Sequence, residues 1–188
     1  PYLQAVTVQD EDDLNARVKL GLVQMEMKQF PEAIKTFEQI LSKNPDSDRI
    51  HYYLGSLYEE IKEKDKAIYH LGKITPDSKL YNDAAIHVGY LYKQDKKLDE
   101  AKTFINQSIE KSPKSVNLRL FSASLEEEMG NIDGSIRVLE QTIEKFPEEE
   151  KPRYYLGSLY DKQGKVEKGL EQMETILKIN PNNADALN

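Results

Sequence analysis

Apolar and small residues recur at helical spacing along the chain, in pairs of helices separated by short breaks. Leu14, Val18, Leu20, Gly21 and Met25 mark one face of a first helix. Ala33, Ile34, Phe37, Ile40 and Leu41 mark a second. The pattern breaks near Lys28 and Gln29. Pro31 suits the first turn of the second helix, where its missing N–H costs nothing. Asn44-Pro45-Asp46 stops that helix, because proline disfavours helix in the residue before it.

The pair then repeats. His51-Tyr52-Tyr53-Leu54-Gly55-Ser56-Leu57-Tyr58 returns as Arg153-Tyr154-Tyr155-Leu156-Gly157-Ser158-Leu159-Tyr160, an offset of 102, three times 34. Steps of 34 from Gly21 meet Gly55, Gly89, Ala123 and Gly157. Steps from Ala33 meet Ala67, Ala101, Ser135 and Gly169, and steps from Phe37 meet Leu71, Ile105, Leu139 and Met173. Pro45, Pro113, Pro147 and Pro181 form another series, interrupted by Lys79. A fixed period of this length means stacked copies of one supersecondary unit.

The register gives five copies over 14–47, 48–81, 82–115, 116–149 and 150–183, in one domain of 1–188 without a linker. Residues 1–13 read as the end of a preceding copy and 184–188 as the start of a following one. The chain begins at Pro1 and reads as a piece of something longer. In the second copy Thr75-Pro76-Asp77-Ser78 cuts the second helix short, so the next helix is expected to start near Ser78. The fourth copy diverges most, with Ala123, Glu126 and Ser135 at three signature places. Gly130 and Gly164 fall at the turn between helices, where positive φ is expected.

The pattern resembles the tetratricopeptide repeat family, with its W-x2-L-G-x2-Y…A-x3-F…P signature. Leu54, Gly55, Tyr58 and Ala67 carry it in the second copy, and Leu156, Gly157, Tyr160 and Pro181 in the fifth. The signature Trp is replaced by Arg17, His51, Ala85, Arg119 and Arg153. The resemblance implies an all-α, right-handed superhelical solenoid of helix-turn-helix repeats with a concave groove. The ending Ile179 to Leu187 resembles bacterial members; cytoplasm and periplasm both fit. Small residues on the Gly21 series should let each first helix approach its own second helix. Those on the Ala33 series should do the same against the next unit.

In this family the first helices line the groove. Tyr52, Tyr53, Glu59, His87, Tyr90, Phe121, Glu127, Tyr154 and Tyr155 fall on groove places and are the candidate partner-binding residues. Tyr52 and Tyr154 hold a place where Tyr is usual. Tyr53, Phe121 and Tyr155 replace a usual polar residue, and exposed aromatics anchor partners. Charged groove places are only slightly acidic, so a basic or aromatic-rich segment is favoured. Members that clamp chaperone C-terminal carboxylates need Lys, Asn and Arg where this chain has Val18, Leu22, Tyr53, Asp83 and Ile86. That specialisation is not expected.

Composition narrows the chemistry. The chain has 188 residues, 38% hydrophobic content and no Cys, which removes disulfides and thiol nucleophiles. Its formal charge of -7 is mixed along the chain, which argues against nucleic acid as a partner. No apolar run reaches the roughly 18 residues of a membrane span. The three histidines, His51, His70 and His87, show no metal-ligand spacing. Glycines recur at the repeat period rather than in phosphate-binding loops. Glu126-Glu127-Glu128 reads as a solvated face. The expectation is a non-catalytic protein–protein scaffold without cofactor or metal, binding a segment in the groove. Self-assembly, or a substrate-positioning role beside a catalytic domain, are the alternatives.

Overall fold

The computed structural model describes residues 14–183 and Ala186, so the expected end of a preceding copy lies outside the described residues. Among the described residues ten helices follow one another: α1 Leu14–Glu26, α2 Phe30–Lys43, α3 Asp48–Glu60, α4 Lys64–Leu71, α5 Tyr81–Gln94, α6 Leu98–Lys111, α7 Val116–Glu128, α8 Ile132–Lys145, α9 Glu150–Lys162 and α10 Val166–Ile179. No strand occurs among the described residues. Contacts group the chain into two compact units, one ending at Leu91 and one starting at Tyr92.

The turn inside each copy is the same device five times. Lys28, Lys62, Lys96, Gly130 and Gly164, spaced by 34, all have φ between 57° and 78°. Each closes a Schellman motif. In the first copy Lys28 N–H donates to Met25 O at 2.9 Å and Gln29 N–H to Gln24 O at 2.8 Å. In the last, Gly164 N–H donates to Asp161 O and Lys165 N–H to Tyr160 O, both at 2.8 Å. Three lysines thus hold a left-handed backbone that costs an L-residue roughly 1–2 kcal/mol.

Glycine sets the helix spacing within a copy. A Cβ on Gly21 would lie 2.6 Å from Phe37, one on Gly55 2.6 Å from Leu71, and one on Gly157 2.4 Å from Met173. The Gly21 series therefore does what its register implies. In the fifth copy a Cβ on Gly169, from the Ala33 series, would meet Gly157 O at 3.2 Å on the first helix of its own copy. Phe37, Leu71, Ile105 and Leu139, from the series four residues on, are buried.

Neighbouring copies are joined by polar ties as well as apolar packing. Tyr58 Oη donates to Glu38 Oε1 at 2.7 Å in the first unit, and Tyr160 Oη to Glu140 Oε1 at 3.2 Å in the second. The residue in the signature Trp place reaches back to the proline that ended the previous copy. His51 Nε2 donates to Pro45 O at 3.0 Å, Arg119 Nη2 to Pro113 O at 3.3 Å, and Arg153 Nη2 to Pro147 O at 3.3 Å. The third copy has neither partner, with Ala85 and Lys79 at those places.

The shortened α4 matches the early stop at Thr75-Pro76, but α5 does not start near Ser78. Ser78 to Leu80 form a turn, with Tyr81 N–H donating to Ser78 O at 3.1 Å, and α5 gains one residue only. Asp48 holds the early stop itself, accepting from Thr75 N–H at 2.8 Å and Thr75 Oγ1 at 2.9 Å.

Candidate interaction site

In the first unit, α3 and α5 bring three of the candidate residues together. The Tyr52 ring stacks on His87, with centroids 6.0 Å apart and planes at 29°. Glu59 Oε2 lies 3.9 Å from His87 Nδ1, and both side chains are over a third exposed. Tyr52 and Glu59 are seven residues apart on α3, about two turns, so both meet the one ring on α5. Burial raises the Tyr52 pKa, and the carboxylates of Asp83 and Glu59 raise it further. Tyr90, one turn beyond His87, is 47% exposed. Tyr53 is held within its unit: its ring packs on Phe37 at 5.2 Å, and Arg49 Nε donates to its Oη at 2.8 Å.

In the second unit Glu127 is the hub. Its Oε2 accepts from Tyr155 Oη at 2.6 Å and its Oε1 from Lys162 Nζ at 2.8 Å. The Lys162 and Tyr155 hydrogen bonds hold its carboxyl below the usual carboxylate range. Burial and the Glu127 hydrogen bond push the Tyr155 hydroxyl up. Phe121 is 6% exposed, so it does not offer the open aromatic surface expected of it. Tyr154 is 48% exposed and lines a groove of about 340 Å³ with Val166, Leu170 and Met173.

The acidic run is not a solvated face. Consecutive helical residues point about 100° apart, so the three glutamates meet three different neighbours. Glu126 is buried, with its Oε1 2.7 Å from Lys102 Nζ and its Oε2 2.7 Å from Asn131 Nδ2. Burial alone would raise its pKa; the Lys102 and Asn131 hydrogen bonds outweigh that and lower it. Glu128 pairs with Lys93.

Two features escaped the sequence reading. One is the tie from the Trp place to the proline carbonyl; its signal was the joint exception at Lys79 and Ala85. The other is a histidine pair inside the first unit. His51 Nδ1 and His70 Nδ1 are 3.0 Å apart. His51 Nε2 faces a carbonyl and must donate, so His51 Nδ1 accepts and His70 Nδ1–H donates. The His70 ring stacks on Tyr58 at 5.4 Å and 8°. Burial, with His51 beside it, lowers the His70 pKa to about 4.

No helix among the described residues is long and apolar enough to cross a membrane. No curated protein matches the chain. Solved structures do. MamA is one neighbour, 19% identical over 87% of this chain and 96% of that one, with a TM-score of 0.64. A tetratricopeptide repeat protein from Parabacteroides merdae is 24% identical over 98% and 73%, with a TM-score of 0.64. YrrB, described as a TPR protein with an unusual peptide-binding site, is 15% identical over 100% and 96%, with a TM-score of 0.60. At these identities they show the fold. Tetratricopeptide repeat models match residues 18–78, 83–115 and 126–188, most of the sequence. The chain, with its ten described helices and its period of 34, belongs to the tetratricopeptide repeat family.

Proposed function

We propose that this chain is a non-catalytic scaffold that binds a segment of a partner protein along its first helices. Scaffolding of protein–protein contacts is the general role of its family. The observation that carries the finer reading is the open cluster of Tyr52, Glu59 and His87 beside the exposed Tyr90 in the first unit. Rigid aromatic rings with carboxylates at their edge suit a segment bearing basic and aromatic side chains, extended or helical. The peptide-binding site named for YrrB makes such a mode reasonable for this fold. Tyr154 and Tyr155 are second-unit candidates; Phe121 supports the core instead.

The test is capture from a lysate of the source organism by the parent chain and by a Tyr52→Ala, Tyr90→Ala variant of equal thermal stability. The reading predicts a protein held by the parent and lost by the variant. Equal retention would place binding elsewhere on the molecule.

A further inference from the structure

The second unit shows how a groove carboxylate is satisfied by the chain itself. Glu127 accepts from Tyr155 Oη at 2.6 Å and from Lys162 Nζ at 2.8 Å. Its neighbours are neutralised too, Glu126 by Lys102 and Glu128 by Lys93. Two periods earlier, Glu59 stands at the Glu127 place and His87 at the Tyr155 place. The Lys162 place is held by Gln94, which carries no charge.

Glu59 therefore lacks what Glu127 has. Its Oε2 faces His87 Nδ1 at 3.9 Å, beyond hydrogen-bond reach, and that buried nitrogen has no hydrogen-bond partner among the described residues. Asp83, exposed one turn before His87 on α5, adds a second carboxylate. Among the described residues neither acid pairs with a lysine or arginine. Burial raises the Tyr52 pKa and the charges of Asp83 and Glu59 raise it further, so both carboxylates act on one ring. That ring stacks on His87. An aromatic face beside carboxylates without a cation of their own attracts a cation. Both helices have further copies before and after them, so this opening belongs to the interior of the chain.

We propose that the Tyr52–His87 pair, with Glu59 and Asp83, seats one Lys or Arg side chain of the partner segment, whose cation does for Glu59 what Lys162 does for Glu127. This rests on the groove reading given under the proposed function and names the side chain that the groove selects.

The probe is N-acetyl-arginine amide, with N-acetyl-citrulline amide as its uncharged match in shape. Each is titrated into the chain while the ring signals of Tyr52 and His87 are followed by NMR. Arginine amide should give saturable shifts at both rings and leave the His70 ring unmoved. Citrulline amide should bind about threefold more weakly, as should arginine amide to Glu59→Gln, on the scale of an exposed ion pair. Added salt should narrow the difference between the two probes. The Glu59 side chain makes no hydrogen bond among the described residues, so Glu59→Gln should keep the parent's melting temperature. Equal shifts from arginine and citrulline overturn the proposal, as do arginine shifts that Glu59→Gln leaves unchanged, or no shift from either probe. The capture test removes rings rather than charges and decides the groove reading separately. A partner lost with Tyr52→Ala, Tyr90→Ala but held equally by the parent and Glu59→Gln would leave that reading standing and sink this one.

Discussion

Arg153 Nη2 donates to the carbonyl of Pro147 across 3.3 Å, and this bond ties the start of α9 to the end of the copy before it. Arg119 and Pro113 make the same bond at the same distance, and His51 and Pro45 a shorter one. The family's Trp fills this place by bulk. Here a donor does part of that work by holding the chain where proline has ended a helix. Arg153→Ala should cost about 0.5–1.5 kcal/mol, the ordinary net worth of one such bond. Chemical denaturation of the two proteins measures it, and an unchanged midpoint would show the tie to be idle.

The turn residues give a paired prediction. Gly164 has φ of 72° and open space around its Cα, so Gly164→Ala meets backbone strain alone. It should destabilise by about 1 kcal/mol. Lys62 holds φ of 65° with a side chain that gains nothing from it, so Lys62→Gly should stabilise by up to about 1 kcal/mol. Thermal melts of both variants should therefore move in opposite directions.

Helix approach is tested at Gly55. Its added Cβ would sit 2.6 Å from Leu71, which is buried and cannot move freely. Gly55→Leu should destabilise by roughly 1–3 kcal/mol through overpacking. A melting temperature equal to the parent's would refute the packing register.

The histidine pair makes stability depend on pH. His70 takes up its proton near 6.5 when unfolded and near 4 when folded. Between those values the unfolded chain binds more protons, so stability rises with pH from about 4 to about 6.5 and is unaffected by this group outside that window. Because the ring is partly exposed, the rise should be about 1–2 kcal/mol. His70→Gln should flatten that part of the stability profile measured by denaturation at stepped pH.

The period of 34 carried most of this fold, because the same residue types recur wherever the same helix contact recurs. Gly21 and Phe37, or Gly55 and Leu71, could be matched from spacing alone. The candidate site was only partly legible. Spacing put Tyr52, Glu59 and His87 on neighbouring first helices, and the structure brings them together. Spacing could not say that Phe121 turns inward, or that Glu126 meets Lys102 and Asn131. Those outcomes depend on side chains outside the helix that carries each residue, which a single helix pattern does not contain. The histidine pair stayed hidden for the same reason: His51 and His70 are 19 residues apart on different helices.

The proposed partner lies against the first helices beside Tyr52 and His87. A photo-crosslinking residue at position 90, on that surface, and another at position 35, on exposed α2, would test it with the captured partner. A covalent adduct is expected from position 90 and none from position 35. An adduct from position 35 alone would put the partner on the second helices and contradict it.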